Sequence, residues 1–122
     1  MAKFNRFEDM PVWHDSQEFA VEVYKATKDF PKEELYSLVN QMRRASSSVS
    51  ANIAEGFGRS TEKDRLHFYH IALGSLLETK NFIYLAGRLG YIDKEKLNSL
   101  IESADRILDQ IHAIRRYFNN HG

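Results

Sequence analysis

No cysteine occurs anywhere in the chain. Disulfides, thiolate nucleophiles and thiolate metal ligands are therefore excluded, which fits a reducing compartment. Strand signals are also missing, because no alternating β-branched run is flanked by turn dipeptides. There is no excess charge of either sign: 17 basic and 17 acidic residues give a formal net charge of 0. The basic excess that marks many nucleic-acid binders is thus lacking. No apolar run approaches the roughly 20 residues needed to span a bilayer. The first residues, MAKFNRFEDMP, lack the apolar segment of a signal peptide. These absences lead to the expectation of one cytoplasmic domain over residues 1–122, without a membrane partner.

Prolines number 2 and glycines 6, and they fall where periodic segments stop. Read with the hydrophobic periodicity, this punctuation predicts an all-α chain with helices over about 12–29, 32–56, 61–89 and 94–119. An N-terminal arm, 1–11, precedes them, with Phe4 and Phe7 free to pack at home or to exchange between subunits. The first stripe is Val12, Trp13, Ser16, Phe19, Ala20, Val23, Thr27 and Phe30, with Trp13 as an anchor at the helix start. The second is Leu35, Leu38, Val39, Met42, Ala45, Ser46, Val49 and Ile53. Gly56-Phe57-Gly58 reads as its cap, with glycine supplying positive φ, and Ser60 or Thr61 caps the next helix. The fourth helix carries Leu97, Leu100, Ile101, Ala104, Ile107, Leu108, Ile111, Ile114 and Phe118, and its Asn119–Gly122 end is expected to fray. Short connections force antiparallel neighbours, giving an up-down-up-down four-helix bundle.

The segment Gln41–Arg59, QMRRASSSVSANIAEGFGR, stands out for its small residues from Ala45 to Ala51. Serine at this density is a mediocre helix former, so tertiary packing has to hold the helix. The hydroxyls can bond back to the i−4 carbonyl and be buried without an orphan donor. Arg43, Arg44, Asn52, Glu55, Gly56 and Arg59 are its candidate structural or interaction residues. The third helix is the natural thing for this surface to pack against. It carries one stripe of Tyr69, Ala72, Leu76, Thr79, Ile83 and Ala86, and a second of Phe68, Ile71, Ser75, Phe82, Leu85 and Leu89. A helix apolar around so much of its girth needs cover on a second side, either within the bundle or from another subunit. Glu78 falls between the two stripes and is a candidate buried partner for Arg43, Arg44 or a serine.

Chemistry is sparse. No phosphate loop, GxSxG, HExxH or GxGxxG pattern occurs. A di-metal bundle site needs Glu-x-x-His pairs, whereas this chain offers Asp64-x-x-His67 and Asp109-x-x-His112, with His70, His14 and Glu55 near the same end. Aspartate is too short to reach the bundle axis as glutamate does, so no metal or other cofactor is expected, and no enzyme activity. Arg43 and Arg44, with Lys80 and Arg88, and separately Arg59, Lys63 and Arg65, are the basic groupings; of these Arg43, Arg44, Arg59, Lys63 and Arg65 are the candidate contacts to RNA or DNA, though Glu62 and Asp64 dilute the second group.

The Gln41–Arg59 segment, together with Phe68–Glu78 (FYHIALGSLLE), Arg88-Leu89-Gly90-Tyr91, Val12-Trp13 and the Phe30-Pro31-Lys32-Glu33-Glu34 turn, closely resembles the bacterial 23S rRNA intervening sequence proteins. The likeness spans residues 7 to 118, and Asn52-Ile53-Ala54-Glu55-Gly56 is its most specific block. That family's name reflects genes lying inside inserts of rRNA genes rather than an activity. The resemblance implies a left-handed up-down four-helix bundle that assembles as a homopentamer. A related branch, the accessory protein of diversity-generating retroelements, is strongly basic and binds nucleic acid and a reverse transcriptase. This chain departs from that branch in its neutral charge, and from the family's usual pattern in Ser50, where proline is usual, and in serine at 46 and 47, where alanine or valine is common. The resulting expectation is a non-enzymatic oligomeric scaffold, with an RNA- or DNA-binding accessory protein as the alternative. Elemental analysis of the purified protein is expected to find no stoichiometric iron, manganese or zinc; a stoichiometric metal would overturn the non-enzymatic reading.

Overall fold

A computed structural model describes the backbone of residues 4–121 and the side chains of residues 4–119. Four helices dominate it: α1 (Pro11–Thr27), α2 (Asn40–Phe57), α3 (Glu62–Arg88) and α4 (Lys94–His121). Contacts between named side chains fix the topology. Gln17 meets Ser50 while Arg43 meets Thr27, so α1 and α2 run in opposite directions. Ser75 meets Ser48, and Phe68 and Tyr69 crowd Gly56, so α2 and α3 do too. Lys80 pairs with Asp105 and Tyr69 stacks on Phe118, reversing α4 against α3. Asp15 with Gln110 and Glu22 with Lys96 close the circuit between α4 and α1.

Of the stripe expected of α1, Val12, Ser16, Phe19, Ala20, Val23 and Thr27 are buried, Trp13 is half-buried, and Phe30 is buried just beyond the helix end. Its start lies one residue earlier than the periodicity indicates, because Pro11 occupies the first helical turn, where its missing N–H costs nothing. Within the arm, Phe7–Asp9 forms a 3₁₀ turn, and Phe7 sets its ring edge-on to Trp13 at 5.1 Å. Phe4 also packs on the core, while residues 1–3 of the arm lie outside the described residues. At the other end of the chain α4 is helical through His121, across the Asn119–His121 stretch expected to fray, while Gly122 lies outside the described residues.

The entry to α2 differs from the continuous helix expected over 32–56. Lys32–Glu34 is a 3₁₀ turn, Leu35–Val39 a π-turn, and regular α-helix begins only at Asn40. The wider π-turn changes which residues face the core. Leu38 and Val39 are both buried, whereas Leu35, expected inside, is 46% exposed and Tyr36 is 90% exposed. The turn is pinned from across the bundle: Tyr91 donates its hydroxyl to Glu34 Oε2 at 2.7 Å, and Ser37 donates to Glu34 Oε1 at 2.9 Å. Phe30 packs on the Tyr91 ring at 5.2 Å. Tyr91 itself is set by Gly90, whose φ of +78° forms the α3 terminus, with the Tyr91 N–H bonded to the Ala86 carbonyl at 2.9 Å. Asp93 then caps α4 by accepting from the Lys96 N–H at 2.8 Å. Thr61, rather than Ser60, caps α3 by accepting from the Asp64 N–H.

The Tyr91–Glu34 bond titrates at both ends. The tyrosine's hydrogen bond, and then that of Ser37, hold Glu34 below the usual carboxylate range; the bond to Glu34, followed by burial, pushes the Tyr91 phenol up. A lowered carboxylate pKa gives stability that is present above its unfolded value and lost as pH falls through the folded one. A raised phenol pKa gives stability that is present below its unfolded value and lost as pH rises through the folded one. Tyr91→Phe is expected to flatten both flanks. In melting scans from about pH 3 to about pH 6, wild type should gain more in Tm than the variant does, spanning the ordinary carboxylate titration. Parallel curves would refute the coupling.

Candidate functional site

The small residues of α2 point two ways. Toward α3, Ser48 accepts from Ser75 Oγ at 3.1 Å, and Asn52 donates to the Ser48 carbonyl and hydroxyl at 2.8 and 2.9 Å. Further along this face is Gly56. A methyl group built there would stand 3.0 Å from Tyr69 Cε1 and 3.1 Å from Phe68 Cβ. Gly56 therefore serves close approach of the two helices and lies inside α2 with ordinary helical φ. Of the cap expected over Gly56–Gly58, Gly58 holds the C-cap position but with φ of −78°, and Gly90 has the one positive φ among the described residues. Ser46 and Ser50 are buried, and each hydroxyl finds a backbone or side-chain partner.

Away from α3, the other half of the small run is open. Ala51, expected to contact α3, is exposed. With Ser47, Ser50 and Ala54 it floors a groove of about 640 Å³ between α1 and α2, walled by Trp13, Val21 and Tyr24. The reason is angular: a helix that is small on all sides offers a close surface both to α3 and to the space beside α1.

The polar groups at the ends of the segment are mostly committed to the fold. Arg59 reaches Glu55 at 2.7 Å and lies over the Phe68 ring at 4.4 Å, while Arg65 Nε donates to the Arg59 carbonyl at 2.7 Å. An exposed ion pair and a cation–π contact contribute on the order of 1 kcal/mol together, enough to order the α2–α3 turn. At the opposite end Arg43 donates to Thr27 Oγ1 at 3.0 Å and to the Tyr24 carbonyl at 3.3 Å, with its guanidinium over the Tyr24 ring. Arg44 and Lys63 are exposed and have no ion pair with a described residue. Of the basic residues grouped with Arg43 and Arg44 in sequence, Lys80 is neutralised by Asp105 at 2.6 Å.

Glu78 is not the buried register-setting partner anticipated. It is exposed, and neither Arg43, Arg44 nor a serine reaches it. The second apolar stripe of α3 divides: Phe68, Ser75 and Phe82 are half-buried against α2 or the core, whereas Ile71, Leu85 and Leu89 are exposed, and Glu78 stands in solvent on the same face as these three and Gly74. The histidine-rich end does not converge either. Among the described residues no group of three or more His, Asp or Glu side chains could hold a metal ion, and His14 instead contacts the Glu8 carbonyl at 2.6 Å. Sequence reasoning missed the Tyr91–Glu34 and Gln110–Asp15 bonds; their partners lie 57 and 95 residues apart, with no local pattern to signal them.

A family model described as 23S rRNA-intervening sequence protein matches residues 8–113. No curated protein matches the chain. Among solved structures, a protein of unknown function from the S23 ribosomal protein family of Bacteroides thetaiotaomicron VPI-5482 superposes with a TM-score of 0.77 at 27% identity. The match covers 84% of this chain and 96% of that one.

The close approach at Gly56 is directly testable. Gly56→Leu is expected to lose about 1–3 kcal/mol in denaturant unfolding through overpacking against Tyr69 and Phe68. Gly58→Ala, whose added methyl would meet nothing nearer than 3.6 Å, serves as the comparison and should change little. Equal effects at the two positions would contradict the packing role.

Proposed function

Because the chain belongs to the 23S rRNA-intervening sequence protein family, we propose that it is a non-enzymatic scaffold that works as a homo-oligomer, the pentamer being its preferred state. The observation that carries this reading is the outer side of α3. Ile71, Leu85 and Leu89 recur on one face of it and are 36, 41 and 48% exposed. Scattered apolar residues on a surface are ordinary, but a helical succession of them along one element marks an interaction face. The titratable groups with shifted pKa have structural causes. Glu34 and Tyr91 bond each other, and burial first, against the opposing charge of Arg65, raises Tyr69.

The second reading is an RNA- or DNA-binding accessory protein. It draws on the family description and on the ribosomal-protein family name of the structural neighbour. Of its candidate contacts, Arg43, Arg59 and Arg65 already hold the fold together. Arg44 and Lys63 are left, at opposite ends of the bundle and too few for a dense phosphate-binding patch. The scaffold reading is therefore preferred.

Sedimentation equilibrium separates these readings. A mass several times the 14.2 kDa of one chain is expected, with no salt-dependent retention of labelled RNA or DNA at low ionic strength. A monomer at all concentrations would overturn the scaffold reading. Retention that falls steeply with added salt would establish the second.

A further inference from the structure

We infer that the groove between α1 and α2 receives the outer face of α3 from a second copy of this chain, with Glu78 of one copy meeting Arg44 of the next. This assignment rests on the oligomeric reading above and says which surfaces make the assembly.

A ring with an odd number of identical subunits cannot be built from self-complementary pairs alone. It needs two different surfaces on each chain that fit one another. The chain exposes two such surfaces. One is concave and floored by small residues, Ser47, Ala51 and Ala54, with Val21 and Tyr24 beside them. The other is a helical ridge on α3, comprising Ile71, Leu85 and Leu89 around Gly74 and Glu78. They use different helices, so one molecule can offer both at once. A ridge of branched side chains entering a groove of small ones is how helices pack closely.

Charge selects the pairing. Glu78 is an exposed carboxylate in the middle of an apolar ridge, and no described residue pairs with it. Arg44 is exposed on the same α2 edge as Ser47 and Ala51, likewise without an ion pair among the described residues. Covering the ridge with an apolar partner would strand the carboxylate, whereas the α1–α2 surface supplies a guanidinium.

Height agrees with the pairing. Copies in a closed ring whose axis runs along the bundle are related without translation, so paired residues must stand level. The Ser48–Ser75 contact fixes a common level for α2 and α3. Arg44 is four residues from Ser48 and Glu78 three from Ser75, in the same direction along the bundle, so the two stand within about 1.5 Å of each other in height. By the same reckoning Ile71 is level with Ala51 to within about one residue's rise. The exposed Leu35 and Tyr36 of the π-turn come within about one helical turn of Leu85 and Leu89. An apolar residue thus meets small or apolar surface above and below the charge pair.

Charge reversal tests the assignment, because both residues are exposed and bear no packing role within the chain. By sedimentation, Glu78→Arg and Arg44→Glu are each expected to weaken assembly at least about 10-fold in Kd through like-charge contact. The double variant is expected to return to within about 3-fold of wild type, since each swapped residue again faces its opposite. Glu102→Arg, an exposed acid on α4 away from both surfaces, should assemble as wild type does. An assembled wild type that neither single reversal weakens would overturn this pairing alone, leave the oligomeric reading standing, and assign the groove to another partner. Weakened single variants without rescue in the double would also overturn it. A monomeric wild type would instead overturn the oligomeric reading and this inference with it.

Discussion

The close approach of α2 to α3 is the constraint on which the rest of the structure depends. At Gly56 one more carbon on the α2 backbone would stand only 3.0 Å from the Tyr69 ring, so the ring would have to give way. Tyr69 is itself buried and stacks on Phe118 of α4, so the spacing of one helix pair sets the position of a third. Large side chains fill the wider part of the core: Met42, Ile53, Leu76 and Ile83 are fully buried, each contributing on the order of 1.5–3 kcal/mol. These burials require the α2–α3 spacing that the small residues permit.

A close helix pair rich in serine carries a polar cost that the structure meets locally. Ser46 and Ser47 bond back to the Arg43 carbonyl, Ser50 to that of Ser47, and Thr79 to that of Ser75. Ser48 and Ser75 bond across the seam. Among the described residues no buried side-chain nitrogen or oxygen lacks a partner. An unsatisfied buried hydroxyl costs about 1–3 kcal/mol, so a seam with this many hydroxyls is stable only when all are paired. The interhelical bonds at the bundle ends, Tyr91 to Glu34 and Arg43 to Thr27, fix where each helix starts and stops rather than how closely the helices pack.

The same small residues that serve the interior also shape the exterior. Because the run from Ala45 to Ala51 is small around the helix, α2 presents a shallow groove beside α1 as well as a close face to α3. The ridge on α3 has the opposite character, with branched side chains and one carboxylate turned outward. A chain with a neutral total charge can therefore still present a charged and shaped surface. The guanidinium groups of Arg43, Arg59 and Arg65, by contrast, are held by contacts inside the fold.

The sequence alone determined the all-α class, the four helices and most of the core. Their signals are local: the 3.6-residue period of Val12 to Thr27 or Leu97 to Phe118 and the caps at Thr61 and Asp93 are written within a few residues of chain. It also showed that α3 is apolar on more than one side, leaving open whether the bundle or another subunit covers the second. Only the tertiary structure decided how Gly56 works, because a glycine near a helix end looks alike whether it bends the backbone or makes room for a ring from another helix. Only it decided that the entry to α2 widens into a π-turn, since that turn is held by Tyr91, 57 residues from Glu34. And only it moved Glu78 from an expected buried partner to an exposed one. A helical period places residues on a common face, but which face meets the core depends on the neighbouring helices.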